Sequence, residues 1–350
     1  MVKALSAAER PARRSPTIYQ VAERAGVSIA TVSRVHRRAE AVAAPTRRRV
    51  ERAIADLSYR PNRLGRSLAR GRHDAIGIVF PDLSGPYFST VILGYEEASA
   101  TRGRSVLILG THGRPDTQRQ VLDLADRVDG LVVMGRTIGD EPIEELGRRG
   151  VPVVVLARPP VQSADSVRTA NGSSAELLVG HLLEHGHREI AFIGDPAGSS
   201  DAGERWDGFL AAHRDAGVSP AFEPMISAFR AVEGREAAAR LLAGARRPTA
   251  IVGANDEIAL GAMDAARAKG IRVPEELAIT GWDDIPMTRH VSPALTTVRQ
   301  PMLDLGRRAA ALLDERITTN RTEPRHDVLP TELVVRSSCG CNPPTNRKEE

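Results

Sequence analysis

Two hydrophobic rhythms run along this 350-residue chain, and they change over near residue 74. Before that point the apolar positions recur at helical spacing in short segments. In TIYQVAERAGVSIATVSRV (17–35), Val21, Ala22 and Ala25 share one helix face. Gly26 follows where a tight inter-helix turn needs positive φ. Val27 plugs the turn, Ser28 is placed to cap a second helix, and Val32 and Val35 point inward from it. That order lets two helices cross closely and leaves Ile29, Ala30, Thr31, Ser33 and Arg34 on the outer side. In helix-turn-helix motifs the N-terminal residues of the second helix meet base edges in the major groove. Ile29 and Ala30 cannot make bidentate contacts, so base reading there should rest on apolar contact, as with thymine methyls. A third helix is expected in APTRRRVERAIADLSY (44–59), with Val50, Ile54 and Leu57 at helical spacing.

From residue 74 the rhythm becomes short apolar runs separated by amphipathic stretches. AIGIVF, SVLILG, GLVVM and VPVVVL form one set; EIAFIG, TAIVGA and LAITGW form a second. Strands alternating with helices predict parallel doubly wound sheets, and two sets predict two lobes with a cleft between them. Open α/β sheets bind ligands beyond the carboxyl ends of their strands. The polar residues following each run are therefore the candidates: Asp82, Ser84, Tyr87 and Phe88 in PDLSGPYF, and Arg158 in ARP. Arg205 in GERWDGF, Asn255 and Asp256 in GANDEIALGAM, Trp282, Asp283 and Asp284 in GWDDIP, and Gln300 in TTVRQP complete them. Carboxylates, amides, an arginine and aromatic faces on one cleft suit a polyol, each planar polar group holding hydroxyls while a ring stacks on the apolar face. Asp256 and Asp284 read equally well as helix caps.

Charge separates the same two regions. Residues 1–72 carry 17 Lys and Arg against 5 Asp and Glu, a balance of +12, and the remainder carries −8. A basic head on an acidic body predicts a polyanion partner at one end only. The cationic first turn of the third helix (Arg47, Arg48, Arg49) opposes the helix dipole, and a nearby DNA phosphate would relieve that conflict, so Thr46 and this run are assigned to backbone contact. Residues 60–72, RPNRLGRSLARGR, hold five arginines and no acid, with Leu64 and Leu68 on one helical face. So short a helix, with Gly65 inside it, should be marginal alone in water.

The order TIYQVAERAGVSIATVSRV, then a third helix, then YRPNRLGRSL resembles the head of the LacI/GalR family of transcriptional regulators, and the likeness extends over roughly residues 17–336. The resemblance implies a head that dimerises on a palindromic operator and a hinge that becomes helical only when bound. It also implies a hinge leucine, matching Leu68, wedged into the minor groove. Physically, leucines inserted between base steps kink DNA while arginines neutralise phosphates, and folding on binding accounts for a marginal free segment. The candidate DNA-contacting set is thus Thr17, Tyr19, Ser28, Ile29, Ala30, Thr31, Ser33, Arg34, Thr46, Asn62, Arg63 and Leu68. Arg205, Asn255, Asp283 and Gln300 fall on the family's effector-binding positions. With Asp82, Tyr87, Phe88, Arg158 and Trp282 they form the candidate effector set. Ala157, Ala170 and Gly85 stand where the family often carries polar residues. Gly65 and Ala43 likewise replace a usual alanine and a capping serine, and Arg37 and Arg38 a usual Asn-Gly turn.

The expected architecture is an all-α helix-turn-helix DNA-binding head plus an α/β two-lobed body like that of periplasmic binding proteins. Its expected divisions are a disordered tail (1–15), the head (16–61), a hinge helix (62–73), the body (74–336) and a flexible tail (337–350). Lobe 1 should comprise about 74–169 and 302–327, and lobe 2 about 170–300 and 328–336. The implied function is a DNA-binding repressor, not an enzyme, with operator affinity controlled by a sugar or sugar derivative between the lobes. Palindromic operator DNA, this effector and a second copy of the chain are the expected partners. The dimer is expected through first-lobe helices around Val91–Glu97. No secretory signal or apolar run of membrane length is present, which points to the cytoplasm.

Other chemistries lack their signatures. No dinucleotide or phosphate-binding glycine loop and no nucleophile elbow occurs, so no cofactor is expected. A solute-binding receptor would lack the basic head, and a sugar-processing enzyme would have to use Asp283 with Asp284 or Asp82 as acid and base. HLLEHGH (181–187) sets His181 and His185 at i, i+4, but no distant third ligand is evident and the stretch reads as a helix end, so no metal is expected. Cys339 and Cys341, the only cysteines, are read as tail residues.

Overall fold

The computed structural model describes residues 16–37, 39–59 and 72–341. It divides into two compact units, Met1–His73 and Asp74–Glu350. In the N-terminal unit, α1 (Ile18–Ala25) opens on a reciprocal cap: Thr17 Oγ1 accepts the Gln20 N–H and Gln20 Oε1 accepts the Thr17 N–H. Gly26 ends the helix at φ 64°, a left-handed geometry that costs glycine little. Ser28 then accepts the Thr31 N–H at the start of α2 (Ile29–Arg37). After a 3₁₀ turn (Ala39–Ala41), α3 spans Ala44–Asp56. Val21, Ala22, Ala25, Val32, Val35, Val50, Ala53 and Tyr59 form the buried core. α3 stops at Asp56, three residues short of the expected segment. Ser58 takes φ 48°, and Tyr59 turns back into the core, its N–H reaching the Ile54 carbonyl. Most of the expected hinge helix, with Asn62, Arg63, Gly65 and Leu68, lies outside the described residues, as do residues 1–15 and 342–350, and its last two positions, Arg72 and His73, are in no helix.

The larger unit carries two sheets with helices around them. β1 (Ala75–Phe80), β2 (Ser105–Gly110), β3 (Leu131–Met134), β4 (Val153–Leu156), β5 (Asp165–Thr169) and β10 (His326–Leu329) form an all-parallel sheet in the order β10-β5-β4-β3-β1-β2. Side chains alternate between its faces, so Ile76, Ile78 and Phe80 of β1 join one core while Ala75 and Val79 join another. α4 (Pro86–Ala100) and α11 (Met302–Thr319) cover the first face; α5 (Thr117–Ala125) and α6 (Asp140–Arg148) cover the second. α4 and α11 meet backbone to backbone: a Cβ on Gly306 would lie 2.1 Å from the Val91 carbonyl oxygen.

The second lobe is built on the parallel strands β6 (Ile190–Ile193), β7 (Ala250–Gly253) and β8 (Ala278–Thr280). Single bridges extend it at Met225 beside β6 and at Thr296 beside β8, and β9 (Thr297–Arg299) pairs antiparallel with β11 (Glu332–Val334). α7 (Asn171–Glu184), α8 (Ser200–Asp215), α9 (Ala231–Leu241) and α10 (Asp256–Ala268) pack around it. The seven apolar runs are seven of these strands. β5, β9, β10 and β11 carry no such run; they are three to five residues long, mix polar with apolar residues, and are held in place by their neighbours' ladders.

Two expected boundaries need correction. β10 stays in the first sheet through Leu329, pairing with Thr169, so the chain leaves lobe 1 after residue 329 rather than 327. Residues 337–341 are not a tail. Ser337–Cys339 form a 3₁₀ turn, and Ser338 Oγ accepts the Thr296 N–H while donating to the Ile279 carbonyl. Cys339 is buried in the second-lobe core.

Candidate functional site

Strand order reverses beside β1 in the first sheet, with β2 on one side and β3 on the other, and ligands bind at such switch points. The carboxyl ends of both sheets line one cavity of about 280 Å³. Pro81, Ser84, Tyr87 and Phe88 follow β1; Met134, Gly135 and Arg136 follow β3; Ala157 follows β4. From the second lobe come Gly198, Ser199, Ser200, Asp201 and Arg205 after β6, Asn255 and Glu257 after β7, and Asp283 after β8. Phe229 and Gln300 complete the wall. The lobes touch across it, since Arg136 donates to Ser200 Oγ at 3.1 Å and to the Ala197 carbonyl. Gly85, at φ 87°, faces Glu257 so closely that a Cβ would lie 2.7 Å from Oε2.

Arg205 organises the polar wall. Its Nε donates to Asn171 Oδ1 at 2.9 Å and Nη1 to the Ala254 carbonyl at 2.6 Å; Nη2 lies 3.7 Å from Asp201 Oδ2. The guanidinium sits 4.6 Å over the Trp282 ring, a cation–π arrangement. Gln300 bridges the lobes, accepting from Thr169 Oγ1 at 2.8 Å and donating to Asp283 Oδ1 at 2.5 Å. Asn255 accepts the Ile258 N–H and donates to the Phe229 carbonyl, so its amide both caps α10 and fixes the Phe229 loop.

Burial pushes the Asp283 carboxyl up to about 7, with Arg205 and the Gln300 hydrogen bond holding it lower than burial alone would. Burial also raises Asp201 and Glu257. The buried Tyr87 hydroxyl has no hydrogen-bond partner among the described residues, and burial raises its pKa well above the ordinary value. An orphaned hydroxyl beside carboxyls is the mark of a site that completes its hydrogen bonds with a ligand or water.

Of the nine expected effector residues, the fold brings Tyr87, Phe88, Arg205, Asn255, Asp283 and Gln300 onto this wall. The other three are engaged elsewhere. Asp82 is spent on its own loop, accepting from the Leu83 and Ser84 N–H groups and from the Ser84 hydroxyl. Arg158 is 5% exposed; it donates to the Gly135 and Ile138 carbonyls, pairs with Asp140, and lines a different cavity. Trp282 is buried beneath Arg205 rather than facing the cavity. Asp256 and Asp284 are structural. Asp256 accepts from Thr297 Oγ1 and the Ile285 N–H, while Asp284, with its side chain 1% exposed, pairs with Arg289, Arg299 and Arg336.

Arg136 and Asp201 were missed although both follow apolar runs, Arg136 two residues after GLVVM. Phe229 comes from the loop before α9, and no periodicity marks it.

On the head, Thr17, Tyr19, Ser28, Ile29, Ala30 and Arg34 are exposed, with Tyr19 at 69%, and Thr31, Ser33 and Thr46 are half-buried. The Thr17 and Ser28 hydroxyl oxygens serve as helix caps.

Residues 17–62 match the family described as bacterial regulatory proteins, lacI family, and residues 179–339 match a periplasmic binding protein-like domain. The HTH-type transcriptional repressor PurR of Haemophilus influenzae (strain PittEE) is 35% identical over 331 residues, spanning 92% of this chain and 98% of that protein. The chain belongs to the LacI family of bacterial regulatory proteins. Among solved structures of that family, the lac repressor dimer bound to operator and the anti-inducer ONPF shares 30% identity, covering 93% of this chain and 99% of that one with a TM-score of 0.84. A complex of the transcriptional regulator CelR with cellobiose shares 33% identity at a TM-score of 0.70, covering 92% and 99%.

The fold is thus that of a LacI-family transcriptional repressor, a DNA-binding protein rather than an enzyme, and operator DNA and a small-molecule effector are its partners. No helix of this repressor, among the described residues, is long and apolar enough to cross a membrane.

Proposed function

We propose that this repressor takes a neutral carbohydrate as effector, in the cavity closed by Arg205, Asp283 and Gln300. The observation that carries the reading is the convergence of six strand ends on one wall. It offers an arginine, two amides, carboxyls and an unpartnered Tyr87 hydroxyl beside Phe88 and Phe229. That mixture matches a ring with one apolar face and many hydroxyls. Both wall arginines are already engaged, Arg205 by Asn171, the Ala254 carbonyl and Asp201, and Arg136 by Ser200 and the Ala197 carbonyl, so neither is set aside for a phosphate. A free sugar therefore binds more tightly than its phosphate. The cellobiose complex of a relative fits the same class.

In this reading the effector favours one orientation of the lobes, and that orientation sets the spacing of two hinge segments across a homodimer. The spacing governs whether the Leu68 pair folds into the minor groove, while Ile29, Ala30 and Arg34 read the major groove and Thr46 meets the backbone. The effector shifts this equilibrium only by its differential affinity for the two states. Leu93, 52% exposed on α4, lies in the segment expected to pair the subunits. The repressor works in the cytoplasm, where operator DNA is found.

The test uses the only tryptophans, Trp206 and Trp282, the first next to Arg205 in sequence and the second beneath it. Fluorescence is titrated with mono- and disaccharides, their phosphates, and purine bases, then repeated with operator DNA. Saturation by an unphosphorylated sugar supports the reading; saturation only by a planar nitrogen heterocycle or by phosphates overturns the carbohydrate assignment.

A further inference from the structure

The helical His pair acquires its third ligand from the far end of the chain. Cys341 Sγ lies 3.3 Å from His181 Nε2 and 3.0 Å from His185 Nε2, and the three ligand atoms are all within 4.8 Å of one another. From these residues we infer a metal site for a borderline-soft divalent cation of the Zn²⁺ type, held by His181, His185 and Cys341. A tetrahedral zinc with bonds of about 2.0–2.1 Å to nitrogen and about 2.3 Å to sulfur places N and S ligands roughly 3.5 Å apart. The two Cys341 separations approach that edge length, while the two histidine nitrogens, within 4.8 Å of one another, close to about 3.3 Å on the metal.

Two further features belong to a ligand set rather than a chance contact. His185 Nδ1 is 2.8 Å from the His181 carbonyl oxygen. Donation there fixes the tautomer that leaves Nε2 free for a metal, the usual outer-sphere arrangement of ligating histidines. On the buried side, Cys339 Sγ lies 3.4 Å from the same His181 Nε2 and is held by Thr296 Oγ1 at 3.1 Å. It offers a second thiolate for the fourth position, which a water fills otherwise. His185 is exposed, so the cation has an entry path from solvent. The mixture of imidazole and thiolate selects zinc-like ions over magnesium or calcium, which prefer oxygen. Bound metal would clamp the segment after Ser337 onto the C-terminal turn of α7, a cross-link closing a loop of more than 150 residues.

Protein stripped with a chelator under reducing conditions is titrated with Co²⁺, a spectroscopic substitute for zinc, and then with Zn²⁺. One equivalent per chain should produce a thiolate-to-cobalt charge-transfer band that Zn²⁺ abolishes. Cys341→Ser should lose the band, His185→Gln should weaken Co²⁺ binding at least tenfold, and His187→Gln, outside the trio, should keep it. Zn²⁺ at a hundredfold excess over its Kd should raise the wild-type Tm by roughly 5 °C or more, with no rise for Cys341→Ser. No charge-transfer band in the wild type, or a band undiminished by Cys341→Ser, overturns the site. The wild-type spectrum decides even if a variant folds poorly.

Discussion

Replacing Arg205 with lysine tests the cavity most directly. The arginine makes two hydrogen bonds, at 2.9 and 2.6 Å, approaches Asp201 at 3.7 Å, and covers Trp282 at 4.6 Å. Lysine keeps the charge but loses the planar fork, so it holds at most part of this set and cannot also address two ligand hydroxyls. A hydrogen bond to a charged group contributes about 1.5–3 kcal/mol. Losing about 2–3 kcal/mol of effector contact weakens Kd roughly 30- to 150-fold. Alanine goes further. It leaves Asp201 and Asp283 buried without their counter-charge, costing about 3–5 kcal/mol of body stability, which is why lysine is the cleaner probe. The assay pairs tryptophan titration with operator binding by anisotropy. Arg205→Lys should bind operator within about twofold of wild type, because the head is a separate unit, yet need roughly 30-fold or more effector for the same change in operator affinity. Wild-type effector affinity in Arg205→Lys, or an operator defect without effector, would refute the reasoning.

The other predictions rest on different parts of the molecule. Asp283, raised to about 7, holds a proton in the folded chain that the unfolded chain releases near pH ~4, so its contribution to stability falls as pH rises between those values. Effector affinity should move the other way, strengthening as the carboxylate forms, and Asp283→Asn should flatten both profiles when Tm and Kd are followed from pH 5 to 8. Gly306→Ala places a methyl 2.1 Å from the Val91 carbonyl oxygen and should lower Tm by roughly 5–10 °C; an unchanged Tm would mean α4 and α11 separate freely. Leu93→Asp should convert the proposed dimer to a monomer in sedimentation at micromolar concentration while leaving the effector Kd unchanged. Arg48→Ala should weaken operator binding across sequences and reduce the slope of log K against log salt by about 1.

Local patterning carried most of the fold. The helix-turn-helix was legible because Val21, Ala22, Gly26, Val32 and Val35 each do their structural work within 15 residues of one another. Six of the seven strands were legible because a strand covered on both faces must be apolar throughout; β2 is as apolar, though at the sheet edge it is only half-buried and leaves Ile108 exposed. The strands' carboxyl ends then marked five cavity residues, since chain direction and strand order are local consequences of parallel topology, while Gln300 follows β9, which carries no apolar run. Sequence alone does not say which polar residue after a strand faces the cavity. Arg158 and Arg136 both follow strands, yet the first closes onto Asp140 and the second reaches across to Ser200. Asp283 and Asp284 are neighbours, but at φ 117° and 57° one joins Gln300 at the cavity while the other enters a cluster of three arginines. Those choices depend on which partners the packing delivers. The most distant case is at the chain's end, where Cys341 meets His181 and His185 only because the β9–β11 pairing and the Ser338 hydrogen bonds return the last segment to α7. Periodicity reports what a residue's neighbours in sequence require; contacts across some 160 positions are set by the closed fold.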